Sequence, residues 1–273
     1  MAARSHLLRI LLFTKLNEKF LVLILNIMPQ YQFSVRAKLS NYLLKDKFSS
    51  LYISRPHRLF KYKSGVRVRL QVIADKYFLS KVIFSEGDII VDVGANIGEV
   101  TLAIRTLIAP GIGFLSISIE PDPIEISCLK LNLLKSDLVF QEFISSSIKI
   151  ADVSYDNDSG DTHLIHNLEV IGISNTEIIS KVRVTTLDDL ILDKIGLKNI
   201  KFLKIEVEGM EPEVLLGAIK ILHRTENVAI DCGPERNGMD TYLACTLILE
   251  ENGFTFSESQ GINSVLFRQI LPV

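Results

Sequence analysis

Short apolar runs alternate with amphipathic stretches along the chain from about residue 86 onward. Residues 89–93 and 114–119 are apolar runs of strand length, and between them apolar residues recur at the spacing of one helix face. This alternation is typical of βαβ units around a mostly parallel sheet, so the sequence predicts an α/β fold. The pattern predicts strands at 89–93, 114–119, 138–144, 202–207, 228–231, 253–256 and 265–268, and helices at 100–108, 122–134, 213–222 and 241–250. The last two strands leave no room for a crossover helix, so we expect them to pair antiparallel.

Three segments do not follow this alternation. Residues 31–63 show no clean period, whereas residues 66–73 alternate apolar and basic side chains, which predicts a half-exposed strand. Residues 145–181 are rich in Ser, Asp and Asn. We interpret this last segment as a lid or substrate loop, or alternatively as a variable surface insertion.

The longest strongly apolar run lies near the start of the chain, at residues 20–28. A membrane-spanning helix needs about 20 predominantly apolar residues, and charged residues and Pro29 bound this run. We expect a helix here that packs on the body of the protein. The alternative is a helix on an anionic membrane face, assisted by the basic residues between 36 and 69.

The formal net charge of −2 conceals two opposed halves. Residues 1–85 carry a formal charge of +13, and residues 86–273 carry −15. The sequence therefore predicts a basic N-terminal extension, residues 1–85, and an acidic domain, residues 86–273. The extension could contact a membrane, an anionic acceptor or the acidic domain, but it has no RNA-binding signature, so no nucleic acid partner is expected.

The cysteines predict neither a disulfide framework nor a metal site. Cys128, Cys232 and Cys245 are odd in number and widely spaced, which favours a reducing compartment and a cytoplasmic location. His163 and His166 have no clear third ligand nearby, so a pair of loop histidines is favoured over a metal centre.

Residues 91–100, VDVGANIGEV, carry the first candidate chemistry because a strand there turns through glycine into a helix. The dinucleotide fingerprint needs G-x-G-x-x-G, but counted from Gly94, Asn96 and Glu99 stand in place of its second and third glycines. Acids near a pyrophosphate would also repel it. A cationic ligand without phosphate fits better, and S-adenosylmethionine is such a ligand.

Glu120 ends the second predicted strand of this unit and is placed to accept hydrogen bonds from both ribose hydroxyls. Asp122, in the adjoining turn, is placed to contact the adenosine. Each of these acids has an alternative role as a helix cap or a solvated loop residue. The predicted cofactor-binding residues are Asp92, Gly94, Ala95, Asn96, Gly98, Glu99, Glu120 and Asp122.

Several separated motifs resemble the FkbM methyltransferase family. They are VDVGANIGEVTL at 91–102, IEPDP at 119–123, Asn132, TLDDL at 186–190 and LKIEVEGME at 203–211. The resemblance covers about residues 87–267. It implies a class I methyltransferase fold, Rossmann-like and mostly parallel with an antiparallel last strand. It also implies S-adenosylmethionine as methyl donor, and usually a hydroxyl acceptor on a sugar, glycolipid or polyketide.

The sequence departs from the family pattern at three places. Glu206 stands where the family commonly has aspartate, and Asp231 stands where many members have glutamate. Residues 144–150 lack the usual acid near the adenine. The catalytic geometry and the adenine contacts of the family therefore do not transfer directly to this chain.

Glu206 and Glu208 are the predicted catalytic residues, because they follow the predicted strand beside the expected position of the methyl group. In a strand they would point to opposite sides, so at most one is a base unless the chain already turns at Gly209. The alternative for Glu206 is a helix cap or an ion pair with Lys204. The predicted substrate-binding residues are Lys204, Glu211, Asp231 and Arg236.

These observations predict an S-adenosylmethionine-dependent O-methyltransferase that acts on a sugar, glycolipid or related metabolite. Its partner would be a small-molecule or glycan acceptor, with peripheral membrane contact through residues 1–85 as a further expectation. One alternative is a methyltransferase for an amine or a nucleic acid. The other is a non-catalytic module that binds the cofactor.

Overall fold

The structure is a computed structural model that describes most of the chain. The described residues are 33–38, 41–46, 50–156, 162–165, 177–196, 198–236, 238–260 and 263–270. The apolar run at 20–28, predicted to be a helix, lies outside them, as does His166. Within the described residues, no helix is long and apolar enough to cross a membrane.

Fourteen strands are found in the described residues, and they form three sheets. In chain order the strands are β1 Phe33–Lys38, β2 Asn41–Asp46, β3 Ser50–Ile53, β4 Ile89–Val93, β5 Leu115–Ile119, β6 Leu138–Phe140, β7 Phe143–Ile144, β8 Lys149–Asp156, β9 Thr162–Ile165, β10 Glu177–Thr185, β11 Phe202–Ile205, β12 Asn227–Asp231, β13 Phe254–Gln260 and β14 Ser264–Gln269.

Seven α-helices are found in the described residues. They are α1 Val66–Lys76, α2 Glu99–Ala103, α3 Pro123–Asn132, α4 Leu187–Ile195, α5 Glu211–Leu216, α6 Ile219–Leu222 and α7 Tyr242–Glu251. A 3-10 helix at Pro56–Tyr62 precedes α1, and a π-helical turn at Ile104–Ile108 extends α2.

The largest sheet has seven strands in the order β13-β14-β12-β11-β4-β5-β6. β4 pairs in parallel with both β5 and β11, while β14 is antiparallel to both of its neighbours. This arrangement confirms the predicted mostly parallel α/β sheet with an antiparallel last strand. Because the chain moves outward from β4 to β5 and β6 and then returns to β11 on the other side, the topological switch lies between β4 and β11, where ligands bind in such sheets.

The predicted strand at 138–144 is divided into two strands that belong to different sheets. The polar residues Gln141 and Glu142 interrupt the apolar run, so β6 ends the large sheet and β7 pairs with β10. The second sheet has the order β7-β10-β8-β9. The prediction of an irregular segment at 145–181 was therefore wrong for the parts that form β8, β9 and β10.

A helix stands where the sequence predicted a strand at 66–73. In α1 the buried residues are Val66, Leu70, Ile73 and Ala74, which recur at helical spacing, while Val68 is half-exposed. The short alternation at the start of this segment is compatible with the period of a strand and with that of a helix. The buried residues further along recur only at the period of a helix. Upstream, β1, β2 and β3 form an antiparallel sheet in the region where no period was found.

The described residues before residue 85 share one hydrophobic core with the acidic body. Leu70 and Ala74 of α1 belong to the same buried cluster as Ala103, Ile104 and Phe202. α1 therefore packs directly against α2 and its π-helical extension. The domain boundary at residue 85 stays a prediction, but the described residues on either side of it bury apolar surface together.

Replacing Leu70 with alanine should lower the free energy of unfolding by about 2–5 kcal/mol, because the side chain is fully buried in this shared core. Val68→Ala on the exposed side of the same helix is the matched control and should change it by less than about 0.5 kcal/mol. Urea denaturation followed by circular dichroism measures both. Equal, small effects of the two substitutions would contradict the packing of α1 on the body.

Candidate cofactor and active site

The turn after β4 brings two loops into close contact. Gly94 has a φ of +72°, and a Cβ built on it would lie 1.8 Å from the carbonyl oxygen of Glu206. Only glycine allows this approach of the turn after β4 to the turn after β11. At Gly98, where α2 begins, a Cβ would lie 3.0 Å from Leu129 and 3.1 Å from Leu133 of the neighbouring segment.

Glu120, directly after β5, holds the same turn from the other side. Its Oε2 accepts a hydrogen bond from the backbone N–H of Asn96 at 2.7 Å, and its Oε1 accepts one from the N–H of Asp122 at 2.9 Å. Burial raises the pKa of Glu120 to about 7, although these two donors act in the opposite direction. Each oxygen of a carboxylate can accept a further hydrogen bond, so Glu120 keeps the capacity to bind a ligand.

A cavity of about 300 Å³ opens at the carboxyl ends of β4, β5 and β11. The cavity lies at the topological switch of the sheet. Five parts of the chain form its walls: the turn after β4, the end of β5, the segment around β7, the turn after β11 and residues upstream of β4. Of the predicted site residues, those that line the cavity are Gly94, Asn96, Glu99, Glu120, Glu206 and Glu208. Those that lie outside its lining are Asp92, Ala95, Gly98, Asp122, Lys204, Glu211, Asp231 and Arg236.

Lys204 of β11 is a buried ammonium beneath the turn after β4. Its Nζ donates to the carbonyl oxygens of Gly94 at 2.6 Å and Val93 at 3.1 Å. The same Nζ lies 3.1 Å from Oδ1 of Asp92, which is fully buried, and 3.5 Å from Oε2 of Glu206. Burial disfavours this charge, but the two carboxylates outweigh burial and raise the pKa of Lys204. Lys204 therefore holds the turn through its carbonyl oxygens, and Asp92 holds Lys204.

Three donors hold the carboxylate of Glu206. Lys76 of α1 donates to Oε1 at 2.7 Å, Tyr77 donates its hydroxyl to Oε2 at 2.6 Å, and Lys204 lies below. Burial would raise the pKa of Glu206, but the neighbouring lysines and the tyrosine hold it far below its ordinary value. A carboxylate held this firmly ionised is a poor proton acceptor near neutral pH.

The chain turns directly after β11, so Glu206 and Glu208 both face the cavity. β11 ends at Ile205, and Glu208 adopts a left-handed backbone with a φ of +52°, followed by Gly209 at +90°. The strand alternation that would send the two carboxylates to opposite sides therefore stops before Glu206. The fully buried Glu211 fixes this turn.

Glu211 is the acceptor that holds the turn after β11 in place. Its Oε1 accepts hydrogen bonds from the N–H groups of Val207 at 3.0 Å and Gly209 at 3.1 Å, and its Oε2 accepts one from the hydroxyl of Thr241 at 2.9 Å. Arg236 donates to the carbonyl of Gly209 at 2.8 Å and pairs with Glu213. Glu211 and Arg236, two of the four predicted substrate-binding residues, thus contact the turn itself.

One wall of the cavity comes from the basic segment upstream of β4. We call it the N-terminal wall, and it consists of Arg58, Lys61, Arg69, Ile73 and Lys76. Sequence reasoning missed these residues as part of the site, although the charge contrast between the two halves of the chain pointed to a contact between them.

The N-terminal wall is joined to the acidic body by ion pairs. Arg69 binds Glu99 through two nitrogens at 2.7 and 2.8 Å, and the hydroxyl of Tyr62 donates to Glu99 at 2.7 Å. Lys76 reaches Asp231 at the end of β12 at 2.5 Å, in addition to Glu206. Arg69 and Lys76 of the wall therefore neutralise acids at the rim of the cavity.

Asp122 lies next to the cavity and serves as the N-cap of α3. Its Oδ1 accepts from the N–H groups of Ile124 at 2.7 Å and Glu125 at 3.2 Å, and its Oδ2 pairs with Arg55 at 2.8 Å. These contacts match the alternative of a helix cap that the sequence left open for this acid.

The Methyltransferase FkbM domain model matches residues 92–267, about two-thirds of the chain. The chain belongs to the FkbM methyltransferase family. This FkbM protein is a methyltransferase that uses S-adenosylmethionine, as its motifs predicted. A comparison with curated proteins gives no match.

Comparison with solved structures finds other methyltransferases at low similarity to this FkbM protein. Precorrin-6y C5,15-methyltransferase from Geobacter metallireducens is 14% identical, with 72% of this chain and 87% of that chain covered and a TM-score of 0.41. Aeropyrum pernix fibrillarin, solved with natively bound S-adenosyl-L-methionine, is 11% identical, with 87% and 99% covered and a TM-score of 0.41. The family assignment rests on the domain match and not on these similarities.

The residues around the cavity fit S-adenosylmethionine. Gly94 and Asn96 present backbone and a short polar side chain to the cavity, without a side chain that would fill it. Glu120 offers two buried acceptor oxygens for the ribose hydroxyls, and the acids around the cavity suit a cofactor that carries a sulfonium and an ammonium group. No phosphate-binding glycine loop is needed for this ligand.

The affinity for S-adenosylhomocysteine should increase about tenfold between pH 6 and pH 8, because Glu120 loses its proton near pH 7 and the ionised form accepts both ribose hydroxyls. Isothermal titration calorimetry at several pH values measures the change. In the Glu120→Gln variant, which cannot ionise, the affinity should be lower and independent of pH over this interval. The same pH dependence in wild type and variant would show that Glu120 does not bind the ribose.

Proposed function

We propose that this FkbM methyltransferase transfers a methyl group from S-adenosylmethionine to a hydroxyl group of a sugar, glycolipid or related metabolite. The observation that carries the proposal is that Glu206 and Glu208 face the same cavity as Gly94 and Glu120. The residues proposed to bind the cofactor and the turn that bears two carboxylates therefore line one cavity. The resemblance to FkbM enzymes, which usually act on hydroxyls, supports this choice of acceptor.

The cofactor, when bound, supplies a methyl group on a sulfonium as the electrophile. The residues of the chain then have to align the acceptor and exclude water, since charge disperses in the transition state of such a transfer. Ile73 of the N-terminal wall, Phe143 of β7 and Met210 bring apolar surface to the cavity. We infer that these three side chains shield the methyl group from water.

A hydroxyl acceptor must lose its proton as the new bond forms, so a positioned base accelerates the reaction. Lys76, Tyr77 and Lys204 already bind Glu206, which therefore acts in the proposal as a fixed anion that positions α1 over the cavity. Glu208 lines the cavity on the left-handed turn and is half-buried, and we assign it the role of base.

The remaining predicted residues have supporting roles in this proposal. Lys204 and Glu211 hold the two turns that face each other across the cavity, and Asp231 fixes Lys76. Arg236 follows β12 at the same edge and binds the turn after β11, so it stays a candidate for contact with the acceptor. Asp92 and Asp122 would act on the cofactor through the backbone that they support.

The proposed location has two parts, the cytoplasm and contact with a membrane surface. Cys128, Cys232 and Cys245 are buried and free, which favours the proposed cytoplasmic location. Peripheral membrane contact through residues 1–85 stays a prediction. Three basic residues of this segment, Arg55, Arg69 and Lys76, pair with acids of the body instead.

The experiment that tests the acceptor class compares extracts of a strain that lacks the gene with those of its parent. Mass spectrometry should show that a glycan, glycolipid or related metabolite of the deletion strain lacks the mass of one CH2 group, and wild-type protein should restore it. Loss of a methyl group from RNA or from an amine instead would contradict the proposed acceptor. The unmethylated material from the deletion strain then serves as the acceptor for kinetics.

Glu208→Gln should lower the rate of methyl transfer to that acceptor by about 10²-fold or more, because the variant cannot take the hydroxyl proton. Its affinity for S-adenosylhomocysteine should stay within about twofold of wild type. Glu250→Gln, on the exposed side of α7, removes the same charge elsewhere and is the matched control. A Glu208→Gln variant as fast as the control would show that Glu208 is not the base.

A further inference from the structure

The cations of the N-terminal wall lie on two helices whose periods direct them to the same cavity. Arg58 and Lys61 are three residues apart in the 3-10 helix Pro56–Tyr62, in which residues at that spacing share a face. Arg69 and Lys76 are seven residues apart in α1, which places them two turns apart on one face. The sequence thus directs four positive side chains toward one side of the cavity.

Most of these cations have acidic or polar partners. Arg69 binds Glu99 through two nitrogens, and Lys76 binds Glu206 and Asp231. Arg58 is buried and contacts Glu125 at 3.1 Å and the side-chain oxygen of Asn96 at 3.0 Å. Each of the three is thus tied to groups of the acidic body.

Lys61 differs from the other cations of the wall. Its side chain is exposed where it lines the cavity, and among the residues that the structure describes it has no hydrogen-bond or ion-pair partner. The loss of hydration beside the surrounding protein lowers the pKa of Lys61, and so do the positive charges of Arg58 and Arg69. Together they outweigh Glu99 and Glu206, which raise it. Glu125 and Glu99 are already paired with Arg58 and Arg69, so in the described part of the chain the charge of Lys61 has no paired acid at this edge.

We propose that Lys61 forms, beside Arg58, a subsite for an anionic group of the acceptor, so that the substrate is a hydroxyl compound that also carries a phosphate or a carboxylate. The inference rests on the proposed methyltransferase function and names the substrate class for the same cavity. A lysine ammonium and a guanidinium are the donors that bind phosphate and carboxylate oxygens most strongly.

The cofactor is the other source of an anionic group at this edge. It carries one carboxylate, but its ammonium and sulfonium make it a cation overall, so an unpaired lysine beside it would be partly repulsive. An anionic acceptor gains from the same lysine without this repulsion, and its attraction to a positive edge also raises the rate of encounter. The geometry therefore favours the acceptor as the bound anion.

The test uses the full-length protein saturated with S-adenosylhomocysteine, and inorganic pyrophosphate as the anionic probe. Calorimetry should detect pyrophosphate binding to wild type, and Lys61→Gln should weaken it by about fivefold, the effect of one partly exposed charged contact. Lys63→Gln is the matched control because Lys63 is exposed near the same 3-10 helix and does not line the cavity. Its pyrophosphate affinity should equal that of wild type.

Three results would overturn or redirect the proposal. If pyrophosphate does not bind to wild type, or if both lysine variants weaken it equally, the subsite does not exist. If Lys61→Gln weakens S-adenosylhomocysteine by about fivefold and leaves methylthioadenosine, which lacks the carboxylate, unchanged, the lysine serves the cofactor and the acceptor subsite is wrong. Failure of wild type to bind S-adenosylhomocysteine at all would instead contradict the proposed function.

Discussion

The buried ammonium of Lys204 is the interaction on which the active edge of the sheet depends. It joins the carbonyl oxygens of Val93 and Gly94, at the end of β4, to the carboxylates of Asp92 and Glu206. A buried charge without partners would destabilise the fold by several kcal/mol, so the ammonium and its acceptors require one another. The turn after β4, proposed to face the cofactor, and the turn that bears Glu206 and Glu208 are thereby fixed in one arrangement.

The opposed charges of the two halves of the chain meet around this centre. Arg69 pairs with Glu99, Lys76 with Glu206 and Asp231, and Arg55 with Asp122, and most of these side chains are at least half-buried. The formal net charge of −2 is the sum of two halves of opposite charge, and part of their charge is neutralised by ion pairs where the two halves meet. The same surface makes the N-terminal wall part of the site, although the family match begins only at residue 92.

The parts of the site that depend on local sequence could be predicted, and those that depend on distant contacts could not. The glycine turn at Gly94 and the acid Glu120 follow directly from strand–turn–helix spacing. The state of Glu206 depends on Lys76 and Tyr77, which are 130 and 129 residues away in the chain. α1 was mistaken for a strand because alternating valines and arginines fit both periods until Leu70, Ile73 and Ala74 decide.

The most direct test of the account is a crystal structure of the protein with S-adenosylhomocysteine. The account predicts that both ribose hydroxyls lie within hydrogen-bond distance of the Glu120 carboxylate, and that the sulfur faces the turn with Glu206 and Glu208. It also predicts that Lys204 keeps its contacts with Asp92 and the carbonyl of Gly94. A ligand bound elsewhere, or a ribose turned away from Glu120, would contradict the assignment of the cavity between β4 and β11 as the cofactor site.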